Sequence, residues 1–128
     1  MADIIIIDDE PALRATMRKI LERVGHQIRE AEDGDRGIEL QRERAADLVI
    51  TDIFMPGKEG METIQELKEE FPDVRILAVS GGASLGASGP LMDAELFGAD
   101  ATLAKPFTVE TLQERVAEVL GSAGTDDS

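Results

Sequence analysis

The sequence predicts a three-layer α/β domain built on one five-stranded parallel sheet. Two observations carry this. Short apolar, β-branched runs alternate with helical stripes five times along 128 residues. Parallel strands also need crossover connections, and right-handed crossovers place helices on both faces of the sheet. The length suits a single domain.

Ile4-Ile5-Ile6-Ile7 is a continuous β-branched run, the pattern of a strand covered on both faces. Leu13, Met17, Ile20, Leu21 and Val24 then recur at helical spacing, with Pro11 at the start and Gly25 just past the end. A short strand is predicted around Gln27–Glu30, and a helix with a weaker apolar stripe from about Asp35 to Glu43. Leu48-Val49-Ile50 is the third strand. Met61, Ile64, Leu67 and Phe71 mark a third helix, stopped by Pro72. Ile76–Val79 reads as the fourth strand, Leu91–Phe97 as a short helix and Ala101–Ala104 as the last strand. Val109, Leu112, Val116, Val119 and Leu120 line the final helix. The domain is therefore expected over residues 1–120. The small, polar stretch Gly121–Ser128 is expected to stay unpacked, as a flexible tail or the start of a linker.

Composition removes several classes of function. Lys and Arg number 13 against 27 Asp and Glu, a formal charge of −14, which repels phosphate backbones and anionic lipid. With no Trp or Tyr, stacking platforms for bases are missing, so nucleic acid is not an expected direct partner. The absence of cysteine removes disulfides, thiolate metal sites and cysteine nucleophiles together. No apolar run approaches the ~20 residues of a membrane span. Met1-Ala2-Asp3 does not begin a secretory signal, so the expected location is cytoplasmic.

In doubly wound sheets ligands bind beyond the carboxyl ends of the strands. Those ends carry Asp8, Asp9 and Glu10 after the first strand and Asp52 after the third. Ser80 follows the fourth, and Lys105-Pro106 the fifth. Taken singly, each is ordinary: a strand-end acid is often a helix cap, a serine before glycines is loop chemistry, and a lysine is usually a solvated charge. Together they are not. Clustered carboxylates repel one another and must take protons or recruit a cation. Hard oxygen donors suit Mg²⁺. Lys105 and Ser80 add the positive charge and hydroxyl that phosphoryl oxygens require. The set describes phosphoryl transfer to a carboxylate nucleophile.

Four motifs, in order, resemble the receiver domain of two-component response regulators from residue 3 to about 120. They are Ile7-Asp8-Asp9-Glu10, Thr51-Asp52-Ile53-Phe54-Met55-Pro56 with Gly60, Val79-Ser80-Gly81, and Gly98-Ala99-Asp100 with Lys105-Pro106-Phe107. The separations agree as well, at 43 residues from Asp9 to Asp52, 28 to Ser80 and 25 more to Lys105. The resemblance implies a chemotaxis-receiver-like, flavodoxin-like strand order, 2-1-3-4-5. It implies that Asp52 is the phosphoacceptor, with Asp8, Asp9, Asp52 and the Phe54 backbone carbonyl holding Mg²⁺. Ser80 and Lys105 would contact the phosphoryl oxygens, and the Lys105–Pro106 peptide would be cis. A histidine kinase or phosphotransfer protein would supply the phosphoryl group, and a downstream protein would read the result. Such a chain assists its own phosphorylation and dephosphorylation and is not an enzyme acting on a separate substrate.

Two positions depart from the family pattern. Receivers often carry Tyr or Phe three residues before the lysine, where this chain has Thr102, and the segment between Ser80 and Lys105 is long and rich in glycine and serine. Activation is accordingly expected to reorder the 81–89 loop more than it repacks residue 102.

Other phosphate and nucleotide chemistries fit less well. A dehalogenase-type phosphohydrolase needs a second aspartate two residues after the first, where Phe54 stands. The glycine run after Ser80 lacks the lysine of a phosphate-binding loop. A flavodoxin would need aromatic rings over its flavin, and a nicotinamide-binding unit would need glycines, not acids, after the first strand. The remaining alternative is an unphosphorylated pseudo-receiver acting as an interaction module, which has no physical reason to keep an acidic pocket.

Overall fold

The structure is a computed structural model that describes residues 2–53, 60–80 and 98–124. Among the described residues nine elements follow in order: β1 (Asp3–Ile7), α1 (Pro11–Arg23), β2 (Gln27–Ala31), α2 (Gly34–Glu43), β3 (Leu48–Asp52), α3 (Gly60–Glu70), β4 (Ile76–Ser80), β5 (Ala101–Ala104) and α4 (Val109–Gly124). All strand pairs are parallel and the sheet order is β2-β1-β3-β4-β5. The helix expected at Leu91–Phe97, the Phe54 carbonyl and the 81–89 loop lie outside the described residues.

Strand alternation divides the core in two. Ile5 and Ile7 of β1 join Val49 and Ala78 under Ile38 of α2 and Ile64 and Leu67 of α3. Ile4 and Ile6 point the other way, joining Ile50, Leu77 and Leu103 under Met17 and Leu21 of α1 and Leu112 and Val116 of α4. Residues 4–7 are therefore all fully buried, each isoleucine contributing roughly 1.5–3 kcal/mol.

Local chemistry sets the element ends. Pro11 opens α1, and Gly25, at φ 96°, closes it with Gly25 N–H to Glu22 O and His26 N–H to Leu21 O. The Asp33 side chain accepts from Arg36 N–H and starts α2 ahead of the predicted Asp35. Beyond its backbone bond to Leu21, His26 accepts the Ala2 N–H on Nδ1 at 3.0 Å. In the Gly98-Ala99-Asp100 motif, Asp100 Oδ2 accepts from Ile76 N–H at 2.8 Å and from Lys68 Nζ at 3.2 Å, tying α3 to the start of β4.

The final helix runs through Gly124, four residues past the boundary the sequence predicts. Backbone hydrogen bonding propagates residue by residue once a helix is nucleated, so it carries on past Leu120 into the small, polar stretch that follows.

Candidate functional site

The β1 and β3 registers place Ile7 beside Thr51, so the next residues, Asp8 just past β1 and Asp52 at the last position of β3, stand side by side. Ser80 pairs with Ala104, and the following Lys105 N–H donates to the Ser80 carbonyl at 2.7 Å. Four strand ends thus converge on one edge.

Asp8 is fully buried, Asp52 is 5 % exposed and Asp9 is exposed. One carboxylate oxygen from each lies within 4.8 Å of the others. Lys105 Nζ donates to Asp52 Oδ2 at 2.8 Å and stands 3.5 Å from Asp8 Oδ2 and 3.8 Å from Glu10 Oε1. Ser80 is fully buried at the end of β4, and the Lys105–Pro106 peptide bond is cis. Thr102 is half-buried on β5 beside Ala78, and its carbonyl accepts from Arg115 Nε at 3.3 Å.

The electrostatics are strained in one direction. Burial pushes the Asp8 carboxyl above its ordinary range, and the charges of Asp52 and Asp9 push the same way. The Glu10 N–H, donating to Asp8 Oδ1 at 2.9 Å, and the Lys105 charge only partly offset this. For Lys105, burial favours the neutral amine. The Asp52 hydrogen bond and the charges of Asp52, Asp8 and Glu10 outweigh it and hold the ammonium above the ordinary lysine value.

Asp8 Oδ2 is buried with no hydrogen-bond partner among the described residues. A buried polar atom left in that state is costly, and a divalent cation between the three carboxylates would satisfy it. The donor set is all hard oxygen, which fits Mg²⁺.

Arg14 and Glu30 join the site without a sequence motif to announce them. Arg14 Nη1 donates to the Asp8 backbone carbonyl at 2.6 Å, and its Nε to Glu30 Oε1 at 2.8 Å. Arg18 Nη1 holds the other Glu30 oxygen at 2.7 Å. No motif marks these residues, because their meeting depends on how α1 lies across β2.

A doubly wound domain with three acids and a lysine at its strand ends defines a class, and comparison with known proteins agrees. The response regulator receiver domain matches residues 4–117, and the chain belongs to that family. It is similar to the response regulator MprA of Mycolicibacterium vanbaalenii, at 32 % identity over 97 % of this chain and 52 % of that protein. It is also similar to the chemotaxis protein CheY of Halobacterium salinarum, at 32 % identity over 91 % of this chain and 95 % of that one. The chain therefore spans about half of the first and nearly all of the second. Among solved structures, a response regulator receiver domain protein from Clostridium thermocellum superposes with a TM-score of 0.88 at 27 % identity, covering 98 % of each chain. Among the described residues, no helix is long and apolar enough to cross a membrane.

Proposed function

We propose that this receiver domain accepts a phosphoryl group on Asp52 in a Mg²⁺-dependent reaction and thereby changes which protein it binds. The observation that carries the reading is Lys105 Nζ at 2.8 Å from Asp52 Oδ2, inside a pocket shared with Asp8 and Asp9.

The chain's own residues account for most of the chemistry. Lys105 fixes one Asp52 oxygen, leaving the carboxylate to attack phosphorus in line with the leaving group. With a phosphohistidine donor, from a histidine kinase or phosphotransfer protein, the P–N bond breaks, an Asp52 O–P bond forms, and the imidazole takes up a proton. Lys105 can then follow the charge from the carboxylate to the phosphoryl oxygens, and Ser80, at the end of the adjacent strand, supplies a hydroxyl to another. Asp8, Asp9, Asp52 and the Phe54 carbonyl would hold Mg²⁺, which when bound neutralises charge on the phosphoryl oxygens. The low exposure of Asp52 favours a donor that docks and excludes water.

Incubation with a small phosphodonor and Mg²⁺ should add one phosphoryl group by intact mass, and Asp52→Asn should abolish it. Equal labelling of the variant would overturn the assignment.

A further inference from the structure

We propose that Arg14, oriented by Glu30, is a positioning residue that sets the acidic pocket for its cation. The inference rests on the reading of Asp8, Asp9 and Asp52 as that cation's ligands.

The chain leaves the sheet at Asp8. Its N–H still pairs with the Ala31 carbonyl at 3.1 Å, but its own carbonyl is met by Arg14 Nη1 at 2.6 Å. The Asp8 carbonyl and the Asp9 nitrogen share one planar peptide. Holding that oxygen therefore fixes both the Cα that carries the Asp8 carboxylate and the plane from which Asp9 departs.

Arg14 is itself held. Its side chain is 17 % exposed, and its Nε donates to Glu30 Oε1, whose other oxygen takes Arg18 Nη1. Glu30 sits on β2, so the clamp spans α1, β2 and the end of β1. A lysine would keep the charge but, as a point donor, could not hold the carbonyl and Glu30 in the same fork.

Charge and position predict opposite signs. A nearby cation repels Mg²⁺, so if Arg14 acted only as a charge, deleting it would tighten Mg²⁺ binding. If Arg14 positions the ligands, deleting it weakens binding by about tenfold.

The test is calorimetric Mg²⁺ titration of the unphosphorylated full chain, with thermal denaturation reporting the fold. Arg14→Ala should bind about tenfold more weakly, and Arg14→Lys should fall between it and the wild type. Glu30→Ala should weaken binding, while adding it to Arg14→Ala should cost nothing more, because the clamp is already open. Affinity for Arg14→Ala equal to or tighter than wild type overturns the proposal. If Arg14→Ala does not fold, Arg14→Lys decides, and wild-type affinity in that variant overturns it. Asp9→Ala separates the two readings. Wild-type binding that Asp9→Ala loses and Arg14→Ala keeps sinks only the clamp; a wild type that binds no Mg²⁺ sinks the cation site and the clamp with it.

Discussion

Lys105 Nζ and Asp52 Oδ2 are 2.8 Å apart, and the same ammonium is the one cation within 4 Å of Asp8 Oδ2 among the described residues. Two buried carboxylates therefore share one lysine, which follows the edge strand β5.

Lys105→Met keeps the aliphatic stem and removes the charge. Without divalent cation the variant should be less stable by about 1.5–3 kcal/mol, because a charged hydrogen bond to a buried carboxylate is lost. Mg²⁺ should stabilise it more than it stabilises wild type, since a competing cation has gone. Urea denaturation with and without Mg²⁺ measures both effects, and an unchanged midpoint would show that the lysine does not offset the pocket's repulsion.

Asp8 gives a pH dependence of definite sign. Its folded pKa lies above the ordinary 3.8, so between those values the native state holds a proton that the unfolded state has released. Stability from this group thus falls as pH rises through that window, and above it the ionised form bears the full penalty. Asp8→Asn should be more stable than wild type at neutral pH without metal, the difference fading below pH ~3.8. It should also lose most stabilisation by Mg²⁺. Paired denaturation curves across pH test this; a constant offset between the two proteins would exclude titration of Asp8 as the cause.

Two helical glycines should respond oppositely to alanine. A Cβ on Gly37 would run into Ile7 Cδ1 and Cγ1, in the packed face between α2 and β1. Gly37→Ala should lose about 1–3 kcal/mol to overpacking, more than the gain in helix propensity returns. Gly121, on α4, has nothing within 4 Å of such a Cβ among the described residues, and Gly121→Ala should gain about 0.5–1 kcal/mol. Thermal denaturation of both variants gives the comparison, and a stabilising Gly37→Ala would mean that α2 can lift from the sheet without loss.

The sequence by itself determined the three central strands, because Ile4–Ile7, Leu48–Ile50 and Ile76–Val79 are too apolar to sit anywhere but a doubly covered sheet. It also determined that Asp8, Asp9, Asp52, Ser80 and Lys105 gather at one edge, since parallel strands all end on the same side. It could not rank Asp8 against Asp9. Adjacent residues leave a strand in opposite directions, and only the packed structure shows that Asp8 turns inward to full burial while Asp9 meets solvent. The contact of Gly37 with Ile7 and the Arg14–Glu30 hold on the Asp8 carbonyl were likewise decided by tertiary structure. Periodicity states which face of a helix is buried. The distance and rotation at which that face meets the sheet come from the fit of all the side chains between them, and those set whether a guanidinium reaches a carbonyl.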